Sequence, residues 1–447
     1  MIGSLLDKIQ LAFGRFKNDK EYSELVRTSS LALLVRMVGV ITGFFVTVFT
    51  TRFYGADALG IVAICIAILS FASVFGKFGL DVALMKYVAE FSVEKKLSMV
   101  KAAYIAAMKV ILPISFLISL ILFYTADFIS IHLLHKPYLK NLLQVNAWLT
   151  LPLVLILVNS ECVRGFKKIK TYTFFQTVSV SLIAMFLLFI LSYYYSNKEI
   201  PTYIQFLSIA ITGCVSTFVW FHYSGFLKVN SASEFSTSTL LKTSSPMFLT
   251  TLMQLIMSWA GTLILAAYNT DSDVGVYNAL IRISVFTNVT ILAINSLAMP
   301  RFVEAFSSGK ILLLEKNAKD AARLILFSAI PAFVLLFFFP HFILSIFGKE
   351  FPGNEMALYV LLVGQLIVAS VGLPSQLLNM TGRQSILRNI ALVSALINVI
   401  ACLLLIPHFG LMGACIAQVI GIFAWNLLSV FEVKRRLGFF SFFNPFS

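Results

Sequence analysis

Arg27-Thr28-Ser29-Ser30 and, much later, Lys242-Thr243-Ser244-Ser245 open two stretches that keep step with each other as far as Lys95 and Lys310. One offset of 215 residues aligns both starts and sets Gly60 against Gly275. The same offset aligns Lys86-Tyr87-Val88-Ala89-Glu90-Phe91-Ser92 with Arg301-Phe302-Val303-Glu304-Ala305-Phe306-Ser307. Two long apolar segments lie inside each copy. A repeat shared by two halves of a chain is a recurrent way of building a transporter, and it divides this chain into two related units.

The 447 residues are 59% hydrophobic and 12% charged, with a mean hydropathy of +0.91. Soluble domains carry about 25% charge, so a soluble fold is excluded. Apolar runs near the ~20 residues of a helical span exclude the short alternating segments of a membrane β-barrel. The runs predict twelve spans, at about 28–50, 58–79, 102–123, 143–160, 172–192, 202–221, 245–267, 275–298, 320–340, 355–377, 387–406 and 410–431. The expected fold is therefore an all-α polytopic membrane protein. It has an N-terminal six-helix bundle (27–221), a Ser/Thr-rich linker (222–244), a C-terminal six-helix bundle (245–431) and a tail (432–447). An even number of spans per half brings both halves in from the same side. The pseudo-two-fold axis then runs along the membrane normal.

The net charge of +14 raises the possibility of nucleic-acid binding. Most of the 34 Lys and Arg instead fall in segments that are cytoplasmic when both termini are inside. That is the positive-inside bias; it accounts for the charge, fixes an orientation in the plasma membrane, and leaves no nucleic-acid partner. Cys65, Cys162, Cys214, Cys402 and Cys415 sit in spans or at their cytoplasmic ends, so no disulfide framework is expected. Residues 1–26 place Ile2, Leu5, Leu6, Ile9, Phe13 and Phe16 at helical spacing among basic residues, the pattern of a helix lying in the cytoplasmic interface against membrane lipids.

Four basic residues fall within spans: Arg36, Lys77, Lys109 and Arg282. An intramembrane arginine costs at least ~2.5 kcal/mol unless it meets water or a partner. Ser29, Arg36, Gly43 and Thr50 recur every seven residues with Thr47 beside them, so one face of span 1 is small or polar. Its repeat partner, span 7, places Thr250, Gln254, Ser258 and Gly261 on one face, and span 8 carries Asn278, Arg282 and Asn288. The expectation is a wet cavity between the halves, with Arg36 and Arg282 as its cations and Lys109, Thr47, Gln254, Ser258, Asn278 and Asn288 as further lining. Lys77 reads as a snorkelling side chain, and Gln365, Gln376, Gln418 and Asn426 read as helix-packing hydrogen bonds. His132 and His135 form an H-x-x-H without the glutamate of a zincin, so no metal is expected, nor any cofactor.

No phosphate-binding G-x-x-x-x-G-K-[ST], G-x-S-x-G or H-E-x-x-H occurs. External segments are too short for a catalytic lobe, so the chain is not expected to be an enzyme. Deep carboxylates are nearly missing, so no proton relay is visible. A cationic, amide and hydroxyl cavity suits an anion that carries sugar-like hydroxyls.

Several features together resemble the lipid-linked oligosaccharide flippases, the O-antigen and polysaccharide-export branch of the multidrug/oligosaccharidyl-lipid/polysaccharide exporter superfamily. They are Tyr54-Gly55-Ala56-Asp57-Ala58-Leu59-Gly60 after a first span with a deep arginine, and Phe78-Gly79-Leu80-Asp81 leading into Lys86–Phe91. Gly382-Arg383, Asn398, Ile406-Pro407, Gly410, Gly413-Ala414 and Ala417 complete the likeness. The resemblance implies a V of two bundles around a central cavity, alternating access, and a polyprenyl-diphosphate-linked oligosaccharide as the partner carried outward. It also implies pathway partners such as a glycan polymerase and glycosyltransferases. Arg36 and Arg282 match, by span and depth, cationic positions that meet the diphosphate in related lipid II flippases; no deep basic residue matches on span 2. The competing classes are an antiporter of the same superfamily and a membrane enzyme of glycan assembly.

Overall fold

The computed structural model of the chain describes residues 20–226 and 235–442. The expected interfacial segment lies outside them up to residue 19, as do residues 227–234 of the expected linker and 443–447 of the tail. The described residues form helices and turns, with no strand among them. The first half contains α1 (Lys20–Lys77), α2 (Leu80–Val93), α3 (Leu97–Phe128), α4 (Leu139–Trp148), α5 (Thr150–Gly165), α6 (Ile169–Leu191) and α7 (Ile200–Ser224). The second contains α8 (Thr237–Tyr268), α9 (Asp271–Val285), α10 (Val289–Ser307), α11 (Ile311–Phe338), α12 (Pro340–Ser345), α13 (Glu355–Val371), α14 (Pro374–Met380) and α15 (Gln384–Leu437). Helix extends into both edges of the expected linker, since α7 runs to Ser224 and α8 starts at Thr237.

α1 is too long for one crossing. Its 58 residues would reach ~87 Å, against a hydrocarbon core of ~30 Å. It breaks at Gly55, where φ 83° and ψ 173° fall in a region essentially closed to residues with a Cβ. Contacts on either side show that the chain reverses there. Ala56 and Gly60 meet Asp271 and Gly275 of α9, while Phe78, just past the other end of that segment, stacks on Phe248 of α8 at 4.6 Å. Gly43, before the break, meets Arg282, about three turns along α9 from Asp271. α15 folds back in the same way at Gly410 (φ 53°, ψ −128°). There Asn398 Nδ2 donates across the hairpin to Ala417 O at 3.1 Å. The gap left between the expected spans 28–50 and 58–79 thus shrinks to a break at a single glycine.

Among the described residues eight helices are long and apolar enough to cross a membrane, and the bent pairs α4–α5 (42°) and α13–α14 (45°) raise this to ten. Dividing α1 and α15 at their hairpins gives twelve, six in each half. The protein is an all-α, multi-pass membrane protein of two bundles.

The repeat is visible in three dimensions. In the first half the second crossing breaks at Phe78-Gly79, both at positive φ, and continues as α2. In the second half α9 passes through a 3-10 turn at Phe286–Asn288 and continues as α10. The two crossings touch at their glycines. A Cβ on Gly60 would lie 2.0 Å from the Asp271 carbonyl oxygen, and one on Gly275 would lie 2.0 Å from that of Ala56. Each contact maps onto the other under the sequence offset, so the pseudo-two-fold axis passes between them. Away from the axis each bundle has its own core, around Leu84, Val88, Ala103 and Trp220 in the first and Phe302, Leu314, Ile325 and Leu377 in the second.

Even alanine at Gly60 or Gly275 must push the two helices apart, because the obstacle is backbone. Spin labels at Lys198 and Lys349, one on each bundle, are expected to show in a Gly60→Ala variant a majority population at longer distance than in the wild type. An unchanged distance distribution would show that the crossing does not hold the bundles together.

Candidate functional site

The two ends of the molecule differ in how the bundles meet. The end near the 225–236 connection is called the linker end, and the other the far end. At the far end a capping box starts α9: Thr270 Oγ1 accepts from Asp273 N at 3.2 Å, and Asp273 Oδ2 accepts from Thr270 N at 3.2 Å. This places Asp271 in the first turn, buried, within reach of the opposite bundle. Lys136 Nζ donates to Asp271 Oδ1 at 2.6 Å and to Asn269 O at 3.0 Å, and the Tyr138 hydroxyl donates to Asp271 Oδ2. Burial, together with the Asp271 carboxylate, holds the Tyr138 phenol well above its usual range, so it remains a donor. Nearby, Arg52 Nε donates to Ile346 O at 2.7 Å, and Ala56 N donates to Glu350 Oε2 at 2.6 Å. The far end is shut by these contacts.

Toward the linker end the bundles part on one flank. The small and polar stripe of α1 is buried at Thr50 and Thr47, partly covered at Gly43 and exposed at Arg36. Leu34, Met37 and Ile41 around Arg36 are exposed as well. On the opposite flank the bundles still touch, where Phe78 stacks on Phe248 and Tyr87 Oη lies 3.0 Å from Thr243 Oγ1. The result is a cleft that is closed at the far end and open beside the first half of α1.

Arg282 sits at the apex of this cleft. Its Nη1 donates to Gly43 O at 3.0 Å and to Thr47 Oγ1 at 2.6 Å, both across the interface. Thr47 in turn donates to Gly43 O at 2.9 Å. Among the described residues, Nε and Nη2 of Arg282 have no protein acceptor, and neither Arg282 nor Arg36 is paired with a carboxylate. Arg36 lies seven residues before Gly43, two turns or ~10 Å nearer the linker end on nearly the same face. Arg36 is thus exposed on the stripe to which Arg282 reaches across, one guanidinium from each bundle.

The other expected lining residues divide. Thr47 belongs to the apex, and Gln254 and Ser258 are exposed on α8. Asn278 is occupied in packing α8 on α9, donating to Val274 O at 2.8 Å and accepting from Thr262 Oγ1 at 3.4 Å. Asn288 is buried in the second bundle and donates to Gln365 Oε1 at 2.7 Å. Lys109 is exposed on a stripe of α3 that it shares with exposed Leu112, Phe116, Leu117 and Ile121. Sequence reasoning missed the Lys136–Asp271 pair. Neither residue sits in a motif, and 135 positions separate them.

Two opposed helical bundles, related by an axis through their contact and parting toward one end, define the class: a membrane transporter. A family model for polysaccharide biosynthesis proteins matches residues 25–306, and the MatE model matches residues 246–404. The chain belongs to the polysaccharide biosynthesis protein family, within the multidrug/oligosaccharidyl-lipid/polysaccharide exporter superfamily. An uncharacterized membrane protein of Methanocaldococcus jannaschii is 25% identical over 408 residues, covering 83% of this chain and 77% of that protein. The probable low-salt glycan biosynthesis flippase Agl15 of Haloferax volcanii is 29% identical over 174 residues, 38% of this chain and 36% of its own. Among solved structures, an inward-facing multidrug resistance MATE family transporter aligns with TM-score 0.73 at 15% identity, covering 92% of this chain and 98% of its own. The lipid II flippase MurJ in an inward closed conformation aligns with TM-score 0.73 at 17% identity, covering 90% and 87%. At these identities the likeness is one of fold.

Removing one partner of a buried ion pair costs ~3–5 kcal/mol. Asp271→Asn is therefore expected to shift the balance between far-end-closed and far-end-open states by on the order of 100-fold. The double variant Lys136→Met/Asp271→Leu should recover much of that shift. Reactivity of a cysteine placed at Ala56 toward a membrane-impermeant thiol reagent would report it; equal reactivity in all three proteins would refute the latch.

Proposed function

We propose that the protein is a flippase that moves a polyprenyl-diphosphate-linked oligosaccharide from the cytoplasmic to the outer leaflet of the plasma membrane. It would serve O-antigen, capsule or other surface polysaccharide synthesis. What supports this reading is one guanidinium from each bundle, Arg36 exposed on the α1 stripe and Arg282 bonded to that stripe at Gly43, neither paired with a carboxylate among the described residues. A diphosphate cannot cross ~30 Å of hydrocarbon bare. In the cleft its oxygens meet Arg36 and the free nitrogens of Arg282 through charge-assisted hydrogen bonds. The prenyl chain stays in lipid, beside the exposed apolar residues of α1.

With both termini cytoplasmic, the linker end faces the cytoplasm and the cleft is loaded from inside. Release then requires the far-end contacts to open while the linker end closes, a rocking of one bundle against the other about their crossing. The family relationship and the MurJ fold support a lipid-linked substrate. The MATE likeness leaves the antiporter as the competing reading, and that reading calls for a carboxylate in the cleft.

In proteoliposomes carrying a fluorescent lipid-linked oligosaccharide, Arg282→Ala and Arg36→Ala are each expected to slow transbilayer movement at least tenfold. Arg282→Lys should recover only part of the rate, because an ammonium lacks the bidentate fork. Wild-type movement by a well-inserted Arg36→Ala/Arg282→Ala protein would reject the reading. Proton-driven drug efflux would favour the antiporter.

A further inference from the structure

A second hollow, of about 490 Å³, lies inside the C-terminal bundle between α8, α10, the α13–α14 bend and α15. Its size falls within the ~300–1,000 Å³ of ligand sites. No charged residue lines it. Its walls carry the amides of Gln254, Asn295, Gln376 and Gln418 and the indole of Trp425. The bend that makes room for it is set by Gly372, whose φ of 78° a Cβ would disfavour and whose Cβ would meet that of Ala322 at 2.7 Å.

These amides are not spent on the fold. Asn295 Oδ1 is buried without a hydrogen-bond partner. Among the described residues, the side-chain amides of Gln254, Gln376 and Gln418 make no protein hydrogen bond either. Asn426, on the same wall, does bond within its helix, donating to Ile422 O at 2.8 Å. Inside a membrane, polar side chains ordinarily find one another. A cluster of free amides around an open volume is arranged for something that enters it.

The chemistry of the walls selects that occupant. Amides donate and accept at once, which matches vicinal hydroxyls that do the same. The Trp425 ring offers an apolar face to the C–H side of a sugar. A charged ligand would find no counter-charge and would lose its hydration.

The hollow is also placed to work with the cleft. Thr262 Oγ1 donates to Asn278 Oδ1 at 3.4 Å, which sets the register between antiparallel α8 and α9. One turn toward the linker end from these residues stand Ser258 and Arg282. Ser258 lines the hollow and Arg282 the cleft, at one depth and on adjacent helices. We propose that this hollow is a subsite for an uncharged sugar ring of the lipid-linked glycan, next to the diphosphate held by the arginines. The assignment rests on the flippase reading above.

The test uses the full chain in nanodiscs and measures binding of a short-chain prenyl diphosphate, bare or carrying glucose, galactose, N-acetylglucosamine or glucuronic acid. A neutral ring should tighten binding about tenfold over the bare lipid, and the uronic acid should not. Gln376→Leu, Gln418→Leu and Gln254→Ala, the last on an exposed face, should each remove most of that tightening. They should leave the affinity of the bare lipid, and a thermal midpoint unchanged or raised, because no protein hydrogen bond is lost. A purely structural role would lower the midpoint. The proposal is overturned if no neutral ring tightens binding, if the tightening survives all three substitutions, or if the uronic acid gains as much as the neutral sugars. Failure of the flippase reading looks different: the bare lipid diphosphate then does not bind, or binds regardless of Arg36→Ala and Arg282→Ala.

Discussion

The structure depends on one close approach of backbone to backbone, the crossing of Gly60 and Gly275. Between membrane helices there is no hydrophobic effect to gain, so association rests on packing, and small residues let backbones come close. Here Ala56 and Gly60 of one half face Asp271 and Gly275 of the other, with no space for a Cβ on either glycine. Everything nearby is placed by that contact. The capping box fixes where α9 starts, the crossing fixes its line, and two turns beyond Gly275 its face carries Arg282 to Gly43. A contact on the symmetry axis is also the one place where either bundle can tilt with the least displacement, so the same pair that joins the halves is suited to act as their pivot.

Charge is distributed unequally about that pivot. At the far end the cation and anion that span the interface satisfy each other, Lys136 with Asp271, and the pair is buried. Below it, Arg282 and Arg36 face space without a counter-ion among the described residues. A buried pair loses ~3–5 kcal/mol if broken, and an unpaired arginine at mid-membrane costs at least ~2.5 kcal/mol. The molecule is thus held shut where its charges are matched, while Arg282 is held by neutral acceptors alone. On the proposed reading an anion would supply the missing counter-charge and leave the buried pair to be overcome by rocking.

Much of this architecture was legible in the sequence because it follows from local composition and repetition. Hydropathy gave the spans, and the offset that pairs Gly60 with Gly275 anticipated the axis before any contact was visible. The deep arginines stood out because charge in an apolar run is costly. What could not be read is the outcome of long-range choice. Asn278 and Asn288 look in sequence like Gln254 and Ser258, as polar points on an apolar helix. The first two turned toward neighbouring helices and found partners, while the other two faced open volume. Gln376 and Gln418, read as packing residues, meet around a hollow because α13 bends at Gly372, and no periodicity announces the bend.

The two sites differ in the bonds they must exchange, and this bears on how a carrier lets go. Arg282 is not idle when the cleft is empty, since Nη1 is engaged by Gly43 and Thr47 of the opposite bundle. Those acceptors move with the first bundle. On the proposed reading a diphosphate would therefore compete with an interface contact, and its net gain would be smaller than two guanidinium groups would give in isolation. Such competition keeps binding below the strength that would trap the load, and it makes occupancy and closure alternatives at one side chain. The hollow in the second bundle has no such competitor across the interface, because the amides of Gln254, Gln376 and Gln418 make no protein hydrogen bond among the described residues and its walls all belong to one bundle. If it takes a neutral ring as proposed, its hold would be nearly independent of rocking and would shift no equilibrium, since a ligand bound equally in two states favours neither. On the proposed reading, selection of the glycan and drive for the movement fall to separate groups: the amides distinguish the cargo, and the arginine that crosses the interface senses it.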